Sequence, residues 1–323
     1  MRAYAIRRFL LIIPTVVIIT GLLFLVLRLI PGDVVTMIAA SRTWQQELGT
    51  TEAVSTDEIR HAFGLDKPWY IQYRDWVGGF FKGDFGTSLW TGVTLTDELK
   101  TRLPVTLELS VMSLIIGLVS SVPLGIYSAI RQDTLLDYTG RTISIFLLAV
   151  PNFWIATAVV AYPVVFWHRS IVPIEYIAFA KNPLGNLWQF FVISFIMGAF
   201  TSGGTVRITR TMMLEVLRQD YIRTAWSKGL SEKLVVFRHA VKNTLIPVVT
   251  IIGGMIPGLF GGAVIMEQIF NLPGLGRYFL TAVTQRDYLI ISGWNFLMSV
   301  FILIFIVLTD LAYAYVDPRI RYK

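Results

Sequence analysis

Between Phe9 and Leu27 the chain carries no charged residue, and apolar runs of that kind return several times before it ends. About 20 apolar residues in a helix cross the hydrocarbon core of a bilayer. Inside lipid the backbone must satisfy its own hydrogen bonds, and a helix does so within a single run. The composition agrees: 54% of the 323 residues are hydrophobic and only 15% are charged. The fold class expected is an all-α polytopic membrane protein with six transmembrane helices. The first lies within residues 1–30 and the others at about 103–130, 142–167, 187–206, 248–266 and 294–315. Residues 31–102 form a sizeable extracytoplasmic segment, and 103–323 form the core domain, with a cytoplasmic loop at 207–247.

Charge sets the orientation. From Arg207 to Lys242 there are eight Lys/Arg against three acids, and such an excess marks a cytoplasmic loop. Residues 31–102 carry seven basic and ten acidic side chains, the opposite balance. Arg2, Arg7 and Arg8 precede the first run, which is longer than the apolar core of a usual signal peptide, so it reads as an uncleaved span. With Arg319, Arg321 and Lys323 at the other end, both termini are expected in the cytoplasm. The net charge of +7 is therefore explained by membrane orientation rather than by nucleic acid.

In the outer segment, Ser55 and Glu58 make a capping box that Gly64 closes, and Pro68 can start a second helix. Its Trp69, Tyr73, Trp76, Val77 and Phe80 share one face. That face either lies on the outer membrane surface or packs within a small subdomain. Pro151 and Pro163 are expected to kink the third span. Glu108, near the outer end of the second, either lines a pathway or is helix-end polarity, and Asp310 in the sixth poses the same choice. Gly254, Gly258 and Gly262 recur at every fourth position of the fifth span, a spacing that lets helix backbones approach. They serve either a partner subunit or packing inside this chain.

The stretch 214–247 is too polar to cross a bilayer and too patterned for a slack loop. Asp220 can cap a short helix, Gly229 suits the left-handed residue that closes it, and Ser231 can cap a second helix running to Pro247. Leu214-Glu215-Val216-Leu217, Asp220-Tyr221-Ile222-Arg223-Thr224-Ala225, Lys228-Gly229-Leu230, His239-Ala240 and Asn243-Thr244-Leu245-Ile246-Pro247 follow in that order. This stretch resembles the coupling loop of ATP-binding cassette importer permeases, in the form found in dipeptide and oligopeptide permeases. Trp226 and Ser227 stand where the family would show Arg and Ala, and Leu187-Trp188-Gln189-Phe190 replaces a Leu-Pro entry into the fourth span. The likeness extends from Pro31-Gly32-Asp33, through Gly64-Leu65-Asp66-Lys67-Pro68, Gly83-Asp84-Phe85-Gly86 and Leu272-Pro273-Gly274-Leu275-Gly276-Arg277, to Asp317-Pro318-Arg319.

The resemblance implies an importer whose coupling loop docks on an ATPase. Glu215, Asp220, Tyr221, Arg223, Thr224, Ala225, Ser227, Lys228, Gly229 and Leu230 are the residues it assigns to that contact. It implies as partners a second permease in a heterodimer, two ATP-binding subunits, an extracytoplasmic solute-binding protein and membrane lipid. The cargo it implies is di- and oligopeptides, with nickel chelates, glutathione or oligosaccharides carried by relatives. No phosphate-binding Gly-x-x-x-x-Gly-Lys motif occurs, so ATP and Mg are expected on the partners and no cofactor or metal on this chain. Cysteine is absent, and His61, His168 and His239 have no metal-like spacing. An ion-coupled secondary carrier would need ionisable residues near mid-membrane, and the spans carry almost none beyond Glu108 and Asp310. An enzyme would need a reactive polar cluster, and none is visible.

Overall fold

The structure, a computed structural model, describes residues 2–29, 61, 66–88, 90–173 and 175–316. The expectations at Pro31-Gly32-Asp33, at Ser55, Glu58 and Gly64, and at the C-terminal basic residues lie outside them. Helix α1 is Arg2–Leu29, α2 Trp69–Phe81, α3 Leu95–Ile130, α4 Leu135–Ala149, α5 Asn152–Trp167 and α6 Pro183–Leu217. They are followed by α7 Asp220–Ser227, α8 Glu232–Ile269, α9 Leu275–Thr284 and α10 Tyr288–Val316. The chain is all-helical among the described residues apart from one isolated bridge between Thr87 and Thr94.

Among the described residues, four helices are long and apolar enough to cross a membrane: α3, α6, α8 and the Tyr288–Leu311 part of α10. Helices α4 and α5 make a fifth candidate if counted together, although they meet at 87°. The described apolar stretch of α1, Leu10–Val26, is shorter than these. The observed architecture is thus four or five candidate spans rather than a demonstrated six. Pro151 breaks the third span instead of kinking it. Val150, the residue before it, sits at φ −89°, ψ 128°, since proline disfavours the α conformation there, and α5 starts afresh after Pro151. Pro163 does lie within α5.

The contacts divide the chain into two units. In the first, Val105–Gly276 with the chain from Phe305 onward, α3, α5, α6 and α8 enclose a core of Val105, Leu109, Phe190, Ile193, Ala263 and Met266. Small residues bring α3 against α6. A Cβ on Gly198 would lie 2.6 Å from the Ser113 carbonyl oxygen, and one on Gly125 would lie 2.8 Å from that of Val206. Gln189, within the segment that departs from the family pattern, is buried. Its amide donates to the carbonyls of Pro173 and Glu175 and accepts from Ile177 N, bracing the loop ahead of α6.

In the second unit, Arg2–Pro104 and Arg277–Ile304, the aromatic face of α2 packs on protein. The ring of Tyr73 meets Phe24 of α1 edge-on at 5.5 Å, its hydroxyl lies 2.8 Å from Thr20 Oγ1, and Phe80 stacks on Phe296 at 4.1 Å. Packing within a subdomain therefore accounts for Tyr73, Trp76 and Phe80, while Trp69 remains exposed. The loop after α2 is latched by Ser88, whose hydroxyl donates to the buried Asp287 carboxylate at 2.7 Å.

Candidate coupling site

Helix α7 is short, eight residues, and too short to be stable alone, so its packing decides whether it exists. Ile222 and Ala225 are three apart and form its buried edge. They enter an apolar cluster with Ala129 at the end of α3, Met213 of α6, and Val235, Val236 and Ala240 at the start of α8. Leu230 is half-buried against the same cluster. The opposite face is open: Asp220, Tyr221, Arg223, Thr224, Ser227 and Lys228 are exposed, as is Glu215 in the last turn of α6. The structure thus gathers the predicted residues at one site but splits them, with Ala225 and Leu230 rooting the helix and the rest facing outward.

The two ends of α7 differ from expectation in one respect. Gln219, not Asp220, occupies the N-cap, with extended ψ of 148°, and Asp220 is the first helical residue. Its carboxylate turns to Arg223, 3.5 Å away, and still places a negative charge at the positive end of the helix dipole. The other end is as expected: Lys228 is the C-cap and Gly229 follows at φ +74°. No heavy atom would obstruct a Cβ at Gly229, so its constraint is conformational rather than steric.

After the turn, Ser231 is the N-cap of α8, whose residues Val235–Ala240 are wound as a π-helix. The helix does not stop at Pro247; it runs through Pro247 and Pro257 to Ile269. Proline removes one N–H, and a membrane helix with packed neighbours survives that loss. Asn243 Nδ2 donates to the Tyr221 hydroxyl at 2.8 Å, tying α7 directly to α8. Helix α7 is thus joined to α6 and α8 through packed side chains and this hydrogen bond.

The seat of α7 is held by a polar network absent from the sequence expectations. Asp137 of α4 is fully buried and accepts from Nε and Nη2 of Arg210, each at 2.7 Å. Ser128 Oγ and the Asp133 amide donate to the same carboxylate, the latter at 3.0 Å. Arg210, counted above as a loop cation, is a structural ion pair inside α6. A second buried carboxylate, Glu267 near the end of α8, accepts from Thr106 Oγ1 at 2.6 Å, and Thr106 accepts from Leu275 N at 2.9 Å. A Cβ at Gly274 would overlap the Glu267 carboxylate, which would have to move, and one at Gly276 would meet Val264 first, at 2.7 Å.

The remaining predicted residues stand apart from this site. Glu108 of α3 is half-buried beside Asn186 and Tyr176. A Cβ at Gly254 or Gly258 would meet nothing within 4 Å, and one at Gly262 would meet only Met197 Cε at 3.5 Å. Of the two roles weighed for these glycines, packing inside this chain finds no support at 254 and 258. The tight glycine of α8 is Gly253, which presses on Thr309 of α10.

Comparison with known proteins places this arrangement. The family described as "Binding-protein-dependent transport system inner membrane component" matches residues 121–322, which include the whole of α7 and its seat. The chain belongs to that family. The N-terminal component of the same systems, "Binding-prot-dependent transport system membrane comp, N-term", matches residues 1–110. Among curated relatives, the oligopeptide transport system permease protein AppB of Bacillus subtilis is 37% identical over the full length of both chains. The dipeptide transport system permease protein DppB of the same organism is 32% identical, covering 99% of this chain and 98% of its own. DppB of Escherichia coli is 33% identical, with both chains covered in full. This member of the inner membrane component family is therefore a multi-pass membrane protein, a transport permease rather than a soluble domain.

Proposed function

We propose that the chain is the permease subunit of an ATP-driven peptide importer. Its exposed α7 face receives the motion of a separate ATPase subunit and passes it to α6 and α8. The observation that carries this reading is the construction of α7, rooted by Ile222 and Ala225 and closed by Gly229 at φ +74°. A short rigid lever between two long helices is suited to transmitting a rigid-body displacement. Di- and oligopeptides are the cargo, a reading supported by the names of the relatives. A solute-binding protein delivers them on the outer side, and hydrolysis takes place on two ATP-binding partners that carry the nucleotide and Mg. Both termini and α7 lie on the cytoplasmic side, in keeping with the basic excess of residues 207–242. The open row Gly254, Gly258 and Gly262 receives the second permease of a heterodimer, a reading supported by the empty space beside Gly254 and Gly258.

The chain contains no cysteine, so Ser227→Cys introduces a single thiol on the exposed face of α7. In membranes containing the whole importer, a short thiol crosslinker is expected to capture an ATPase subunit, with a yield that changes on adding ATP. If the thiol reacts with a soluble reagent but captures no ATPase, the coupling role is wrong.

A further inference from the structure

Helices α4 and α6 line a cavity of about 110 Å³ that reaches Arg210, the arginine paired with Asp137 beneath α7. One end is basic, with Arg141, Arg207 and Arg210, and the wall is apolar, with Ile145, Leu148 and Val206. Its depth follows from the sequence. The run Leu187–Val206 is free of charged residues, and its length matches a hydrocarbon core of about 30 Å at 1.5 Å per residue. Arg207 is the first residue beyond it, and Arg141 likewise comes directly before the apolar part of α4. Both guanidiniums thus sit at the level where a bilayer places its phosphates.

The charges inside the cavity do not cancel. Asp137 takes both hydrogen bonds of Arg210. Arg141 Nε is 3.6 Å from Asp137, beyond hydrogen-bond reach, and this buried nitrogen has no acceptor. Its guanidinium lies over the Tyr138 ring, 4.5 Å from the centroid, which holds it in place without satisfying that N–H. Arg207 is exposed and makes no salt bridge with any carboxylate among the described residues. Beyond the basic end, Ile145 is 65% and Leu148 50% exposed, so the wall continues onto an open apolar surface. The cavity is larger than a single water needs.

We propose that this cavity binds the headgroup of an anionic phospholipid. The phosphate accepts from Arg141 and Arg207, and the acyl chains lie along Ile145 and Leu148. Guanidiniums pair well with phosphate oxygens, and basic pockets between membrane helices favour such headgroups. A free phosphate would use the arginines but leave the apolar wall bare.

The test uses the assembled importer, stripped of lipid in a neutral detergent and titrated with phosphatidylglycerol, phosphatidylcholine or inorganic phosphate. Bound lipid is counted by native mass spectrometry. Saturable binding of phosphatidylglycerol is expected, with weaker binding of phosphatidylcholine and no displacement by equimolar phosphate. Arg207→Gln and Arg141→Gln should each weaken phosphatidylglycerol about fivefold, the effect of one cation at an anionic surface. Arg207 is exposed, so its replacement leaves the fold intact. Arg218→Gln, exposed and outside the cavity, should change nothing. Equal binding of the two lipids, full displacement by phosphate, or an equal loss in Arg218→Gln would overturn the proposal. So would selectivity seen in the isolated chain but absent from the assembly, which would mean that another subunit fills the cavity.

Discussion

Arg210 and Asp137, 73 residues apart in sequence, form a bidentate ion pair around a carboxylate with no solvent exposure. It joins the first turn of α4 to the part of α6 that seats α7. A charge buried this deeply is tolerated only while its partner remains, and removing one member of such a pair costs about 3–5 kcal/mol. Asp137→Asn is expected to lower the thermal unfolding midpoint of the purified protein sharply. Asp137→Asn combined with Arg210→Gln should recover part of the loss, because no unpaired charge is left. Midpoints that stay at the wild-type value in the single variant would remove the pair from the account of the seat.

Gly229 makes a different kind of demand. Its φ of +74° costs a side-chain-bearing residue about 1–2 kcal/mol, and more if it is β-branched. Gly229→Val is therefore expected to abolish uptake while the protein still inserts at normal abundance. Gly229→Asn, which tolerates that conformation, should retain most of the uptake. Uptake assays alongside membrane immunoblots separate the two effects, and normal uptake by Gly229→Val would refute the turn's role in coupling.

The sequence located these features unevenly, for physical reasons. Long apolar runs announce helices because lipid allows little else, so the expected runs 103–130, 187–206, 248–266 and 294–315 fall within α3, α6, α8 and α10, although α6 and α8 extend well beyond them into polar sequence. Gly229 was legible because the turn's chemistry is local. The break at Pro151 could have been inferred from the restriction that proline puts on Val150, since a kink would have kept Val150 helical. Asp137 and Arg210 carried no local sign of pairing, because each reads as one more charge at a span end. The row Ser113, Gly117, Ser121 and Gly125 repeats every fourth residue and marks where α3 meets α6, a signal as clear as the glycines of α8.

That crossing yields a comparison within one helix. A Cβ on Gly198 would press on the Ser113 carbonyl, whereas one on Gly204, also in α6, would meet nothing within 4 Å. Gly198→Ala should destabilise the protein by about 1–3 kcal/mol through overpacking. Gly204→Ala should be neutral or stabilising by up to about 1 kcal/mol through helix propensity. Thermal unfolding of both variants in one detergent checks the pair, and equal effects would show that α3 and α6 are not so close.

The glycines of α8 separate folding from assembly. Among the described residues nothing occupies the space beside Gly258, so a larger side chain there has no neighbour among them to disturb. Gly258→Leu is expected to leave the stability of the isolated chain within about 0.5 kcal/mol of wild type, as for a surface substitution. If a second permease packs its own helix on this row, the same leucine would hold the two backbones apart. Co-purification of a tagged Gly258→Leu chain with the other importer subunits should then fall severalfold, and Gly258→Ala should fall less. Because Gly253 is pressed against Thr309, Gly253→Leu should show the reverse order, with the chain itself destabilised before any assembly defect is seen. Undiminished co-purification of the Gly258→Leu chain would move the permease–permease contact to another helix.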